Sequence, residues 1–172
     1  ASVNASPAQR LVTSVDIPAA VGFNMLISSS PARWSAPVKR SFQWLINGKP
    51  IAGANSTKYR TSIGQRGKTI RLRETARFAN GKILTSLSRA VVVGRILLIS
   101  EPSIAFTDNT ERTLGLFPPS ILPAAAKLTY QWLRDGAEIQ DAIAETYTFT
   151  SADGGKSISL RVKVSHPNFV SR

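Results

Sequence analysis

Phe42-Gln43-Trp44-Leu45-Ile46-Asn47-Gly48 recurs in this chain as Tyr130-Gln131-Trp132-Leu133-Arg134-Asp135-Gly136, 88 residues later. The offset persists without a gap. Ile51 answers Ile139, Ala54 answers Ala142, Tyr59 answers Tyr147, Gly67-Lys68 answers Gly155-Lys156, and Ile70 and Leu72 answer Ile158 and Leu160. One register kept through apolar, Gly and Trp positions marks an internal duplication. Each copy alternates with period two. Phe42, Trp44 and Ile46 interleave with Gln43 and Leu45, and Asn47-Gly48 or Asp135-Gly136 supplies turn residues that tolerate positive φ. From Ile158 to Val164 the apolar residues face one side of a strand while Ser159, Arg161 and Lys163 face the other. Strands of this kind, with turns about every 8–12 residues, predict an all-β sandwich in each copy.

Outward from the repeat, Val21 to Ile27 and Thr113 to Phe117 read as early strands, followed by Pro-rich loops at Ser30-Pro31 and Pro118-Pro119. Ile83 to Val93 reads as the last strand of the first copy. The second copy reaches Phe169-Val170-Ser171-Arg172 where that strand would begin, so its last strand is expected beyond Arg172 or from another chain. The expected division is residues 1–94 and 95–172, joined by a short connection near Gly94. No cysteine is present, which excludes disulfides, thiolate metal sites and cysteine nucleophiles. The cores must then be held by apolar burial. No apolar run approaches the ~20 residues that span a bilayer, the longest, Ala90 to Ile99, being broken by Gly94 and Arg95. Ala1 to Gln9 carry no basic region followed by an apolar stretch, the pattern of a secretion signal.

Tyr130-Gln-Trp-Leu-Arg-Asp-Gly, Ile139, Ala142, Tyr147-Thr-Phe-Thr, Ala152-Asp153-Gly-Gly155-Lys156 and Ile158-Ser-Leu-Arg-Val resemble the bacterial immunoglobulin-like repeats of surface and secreted proteins and of phage structural proteins. Pro31-Ala-Arg-Trp34-Ser35 looks like the stretch that precedes the Gln-Trp strand in that family. The resemblance implies two tandem immunoglobulin-like β-sandwiches, with Trp44 and Trp132 as buried core tryptophans beside Tyr59 and Tyr147. It implies little about function, because such repeats serve as stalks, spacers, adhesins and accessory modules alike. The first copy departs from the family pattern, with Gln65-Arg66 in place of Asp153-Gly154 and arginine at 71, 73 and 77.

Charge is unevenly shared. The net charge is +12; residues 1–94 hold fourteen Lys and Arg against two acids, Asp16 and Glu74, while residues 95–172 hold eight of each sign. That asymmetry points to an anionic partner for the first half. Lys58, Arg60, Arg66, Lys68, Arg71, Arg73, Arg77 and Lys82 are the candidate binding residues, with Arg71, Arg73 and Arg77 on one sheet face if Ile70 and Leu72 point inward. Like charges on one face repel unless anions sit between them; the plain alternative is a solvated polar face. Trp34, read as a loop residue between Arg33 and Ser35, is a candidate for stacking on a sugar ring or base. Glu74 aligns with the inward Val162, so a bulge or an ion pair with a neighbouring arginine is expected there.

Enzyme chemistry has little to work with. The single histidine, His166, precedes Pro167 near the end of the chain, which makes a His-based triad or a multi-His metal site hard to assemble. Asp135, Glu138, Asp141 and Glu145 match no calcium loop and read as solvated turn acids. Asn4-Ala5-Ser6 and Asn55-Ser56-Thr57 satisfy the glycosylation pattern. The reading is therefore a non-enzymatic structural or adhesive module at an extracellular, cell or virion surface, without cofactor or metal. Its expected partner is an anionic polymer or an acidic protein face, with other copies of itself and virion or surface-layer proteins as further partners. A virion decoration or tail protein, and an accessory piece of a larger secreted enzyme, are the alternatives. Nucleic acid is disfavoured, since none of its recognition modules is visible.

Overall fold

A computed structural model of the chain describes residues 8–107, 110 and 112–171. The Asn4-Ala5-Ser6 pattern and Arg172 lie outside the described residues. The chain divides into two compact units, Ala1–Arg95 and Ile96–Arg172. Both are all-β and built of antiparallel sheets, with no α-helix among the described residues.

Unit 1 runs β1 (Leu11–Thr13), β2 (Leu26–Ser28), β3 (Arg33–Trp34), β4 (Val38–Ile46), β5 (Lys49–Pro50), β6 (Lys58–Arg60), β7 (Thr69–Phe78), β8 (Ile83–Leu87) and β9 (Val91–Val92). Its main sheet has the order β5-β4-β7-β8, with β9 also on β7; β2 pairs β6, and β1 pairs β3. β4 and β7 stay in register from Val38↔Phe78 to Ile46↔Ile70. Alternation then decides what is buried: Ile70, Leu72, Glu74 and Ala76 are 0% exposed, and Phe78 2%. Trp44, opposite Leu72, is also fully buried and stacks on Tyr59 of β6 at 5.5 Å. Its indole N–H donates to the Ser56 carbonyl, so the large ring is buried with no orphaned donor. Each such side chain contributes roughly 1.5–3 kcal/mol by burial. Asn47 (φ 47°) and Gly48 (φ 78°) make the β4–β5 turn, and the Asn47 carboxamide oxygen accepts the Thr69 N–H. An L-residue at that φ is tolerated best when its side chain bonds locally, which is why Asn or Asp stands there in both copies.

Unit 2 repeats the plan with β10 (Leu97–Leu98), β11 (Ser103–Phe106), β12 (Thr113–Phe117), β13 (Ile121–Leu122), β14 (Lys127–Arg134), β15 (Ala137–Glu138), β16 (Thr146–Thr148) and β17 (Ile158–Ser165). Its sheets are β15-β14-β17, β11-β12-β16 and β10-β13. Trp132 lies opposite Leu160 and stacks on Tyr147 at 5.5 Å, the geometry of Trp44 on Tyr59. Gln43 and Gln131 each donate to two carbonyls, those of the next Trp and of Ile51 or Ile139, pinning the turn segment to its strand.

Two expected strands differ in detail. Val21 to Ile27 is not continuous: Val21 makes an isolated bridge to Val93, and β2 begins only at Leu26. Asn24, at φ 57°, turns the chain between them and accepts the Ile63 N–H. Ile83 to Val93 splits into β8 and β9 because the Ser88 hydroxyl, rather than a backbone carbonyl, accepts the Leu72 N–H.

Candidate functional site

On β7 the side chains opposite to the core set are Thr69, Arg71, Arg73, Thr75 and Arg77. Register with the neighbouring strands arranges this face into rows. Lys39, Arg77 and Ile83 form one; Ser41, Thr75 and Thr85 the next; Gln43, Arg73 and Leu87 the third. Lys39, Arg73 and Arg77 are exposed, and so are Ile83 (49%) and Leu87 (40%). Arg71 differs from its neighbours, being half-buried with its guanidinium donating to the Ser88 carbonyl. Lys39 was not among the residues singled out from sequence. The signal was there, in the Val38-Lys39-Arg40-Ser41 alternation that extends β4 upstream of Gln43, but which residue faces Arg77 depends on register. An open cleft of about 540 Å³ lies at this end of the sheet, lined by Pro37, Lys39, Arg77, Phe78 and Gly81 among others.

Neither acid of unit 1 faces these cations. Unit 1 has two acids, and each is engaged elsewhere. Asp16 takes a two-pronged contact from Arg89, with N–O distances of 2.8 and 2.6 Å. That hydrogen-bonded guanidinium holds the Asp16 carboxyl below its ordinary range, and the Asp16 carboxylate in turn raises the Arg89 guanidinium. Glu74 points the other way, into the core, at 0% exposure. It accepts from the Ala32 backbone N–H (2.7 Å), the Trp34 indole (2.8 Å) and the Arg40 guanidinium (2.6 Å). The register through Glu74 is unbroken, so the ion pair, not a bulge, accommodates it. Two exposed cations directly opposite each other, Lys39 and Arg77, cost on the order of 0.2–1 kcal/mol when no anion lies between them.

The sequence-selected cations do not form one patch. Arg73 and Arg77 share the outward face of the main sheet. Lys58 and Arg60 flank Tyr59 on β6, and since Tyr59 turns inward onto Trp44 they point away from the opposite side of the core. Arg66 and Lys68 are exposed on the turn that precedes β7, and Lys82 sits on the β7–β8 turn, donating to the Gln9 carbonyl. Trp34 is corrected outright. It belongs to β3, is 7% exposed, packs edge-on against Phe78 and has its N–H on Glu74, so no ring face is free to stack on a ligand. Trp44, Trp132, Tyr59 and Tyr147 pack against the cores as described.

In unit 2 the acids are dispersed among separate partners. Asp135 pairs with Lys156, Glu138 with Arg161, and Glu145 accepts from Tyr130. No group of three potential metal ligands gathers among the described residues. Asp153 is the most enclosed acid there. Burial raises its carboxyl, but the Thr150 N–H, the Arg134 guanidinium and the Thr150 and Tyr147 hydroxyls outweigh that and hold it at about 2. No protein-family model matches the chain, and no curated protein matches it.

Proposed function

We propose that the chain is a pair of tandem immunoglobulin-like β-sandwiches acting as a non-enzymatic structural or adhesive module at an extracellular, cell or virion surface. Unit 1 docks the outward face of its main sheet onto an anionic polymer or an acidic protein surface. One observation carries this reading: Lys39, Arg73 and Arg77 share a face that neither acid of unit 1 shares, Asp16 and Glu74 both being engaged elsewhere. A fold that only needed solubility would gain by mixing signs on that face. The fold part of the reading is supported by the Trp–Tyr stack at the same place in both copies and by main sheets with matching strand order around it.

Binding to an anionic polymer such as heparin, read across a salt series, tests the proposal. The parent chain is expected to bind and to weaken as salt rises. A variant carrying Lys39→Ser, Arg73→Ser and Arg77→Ser is expected to lose that binding while keeping its melting temperature. Equal binding by parent and variant rejects the face as the site.

A further inference from the structure

The rows on the outward face of unit 1 are not alike in height. Lys39, Arg77 and Ile83 form one ridge, and Gln43, Arg73 and Leu87 form another further along the strands. From Arg73 to Arg77, at about 3.4 Å per residue, the ridges stand about 14 Å apart. Between them lies the row Ser41, Thr75 and Thr85, whose side chains end just beyond Cβ. Ser41 and Thr85 are exposed and Thr75 half-buried, and their hydroxyls make no hydrogen bond among the described residues. The face is therefore a shallow trough that runs across the strands over a floor of hydroxyls.

The ridges change character along their length. On β4 and β7 they carry Lys39, Arg77 and Arg73, all exposed and without an ion pair or hydrogen bond among the described residues. On β8 they carry Ile83 and Leu87, 49% and 40% exposed, directly beside Arg77 and Arg73. A purely charged polymer leaves those two aliphatic side chains in water. The three rows hold no aromatic residue, so a sugar ring finds no flat surface on which to stack. A polypeptide meets every part of the trough. Its amides bond the hydroxyls, its carboxylates pair with the cations, and its apolar side chains cover Ile83 and Leu87.

The order of those side chains follows from spacing. An extended chain laid in the trough points successive side chains to opposite ridges. Neighbouring strands lie about 4.8 Å apart and two residues of an extended chain advance about 7 Å. A first residue facing Lys39 and Arg77 is then followed by a second facing Arg73, and by a third and fourth facing Ile83 and Leu87.

We propose that this trough binds an extended segment of a partner protein in which two adjacent acidic residues are followed by two apolar ones. The proposal rests on the docking reading given above and narrows its partner from anionic surfaces in general to an acidic peptide. No two acids are adjacent in this sequence, so a second copy of these 172 residues does not supply the segment.

The test measures binding of the 172-residue chain to a labelled peptide, Ser-Glu-Glu-Ile-Leu-Ser blocked at both ends, by fluorescence anisotropy. The same residues reordered as Ser-Glu-Ile-Glu-Leu-Ser set a carboxylate against an aliphatic side chain and should bind several-fold more weakly. Ile83→Thr combined with Leu87→Thr should weaken the first peptide several-fold and erase the preference for order. Both positions are exposed, so that variant should keep the parent's melting temperature and its salt-sensitive binding to heparin. Lys39→Ser, Arg73→Ser and Arg77→Ser together should abolish binding of peptide and heparin alike. Equal affinity for the two peptides, or no effect of the threonine changes, overturns the trough; if heparin binding still depends on the three cations, the docking face itself stands. Binding of both ligands that ignores the three cations overturns the trough and the docking face together.

Discussion

Glu74→Val is the most informative single change in unit 1, because the repeat itself places valine at the matching position, Val162. The carboxylate is 0% exposed and serves three donors, of which two, the Ala32 N–H and the Trp34 indole, are buried with it. The third, Arg40, has a side chain 36% exposed and can turn to water. Each buried donor left without an acceptor costs about 1–3 kcal/mol, so the two together give a loss of roughly 2–6 kcal/mol. A domain of this size loses about 4–8 °C of melting temperature per kcal/mol, so the transition of unit 1 should fall by about 8 °C or more. Adding Arg40→Met should recover little, because the orphaned N–H groups, not the guanidinium, carry the cost. Differential scanning calorimetry measures the transition, and Trp34 emission reports whether the indole has left its site. A Glu74→Val chain that melts within a degree or two of the parent refutes the reasoning, since apolar packing would then suffice where three donors converge.

Unit 2 should lose stability in acid through Asp153. Its folded carboxyl is lowered to about 2 from the ordinary 3.8, so the stabilisation is complete above about pH 4 and drains as pH falls towards 2; Asp153→Asn should flatten that slope in pH-dependent denaturation. Replacing Gln43 or Gln131 by Leu removes two hydrogen bonds to carbonyls and should cost about 1–3 kcal/mol in the unit concerned, read by urea unfolding. Asn47→Ala should destabilise unit 1 by about 1–2 kcal/mol, since it loses the bond from Thr69 and leaves an alanine at φ 47°, whereas Asn47→Gly should cost less.

The strand plan was legible because period-two alternation is a local property. Ile70, Leu72, Ala76 and Phe78 are buried, and Arg73 and Arg77 exposed, as the alternation along β7 requires. The turns at Asn47-Gly48 and Asp135-Gly136 were legible for the same reason. The site was legible only in part, because a surface is assembled across strands. Lys39 faces Arg77 through a nine-residue register that no single strand reveals, and Lys58 and Arg60, close to Arg66 in sequence, belong to a strand on the far side of the core. Trp34 was misplaced because its burial depends on an inward carboxylate forty residues away, and a lone glutamate in an apolar row does not announce which donors it will gather.

The most direct measurement of the central claim is the affinity of unit 1's basic face for a polyanion as a function of salt. Each cation that neutralises a polymer charge contributes a slope of roughly 0.7–0.9 in log K against log salt, taking nucleic acid values as a guide, so removing Lys39, Arg73 and Arg77 should reduce the slope by about 2–3. The same triple change made instead at Lys58, Arg60 and Lys68 should leave more of the slope in place. A slope unchanged by the Lys39, Arg73 and Arg77 substitutions, or lost equally in both variants, contradicts a defined docking face and leaves only diffuse positive charge.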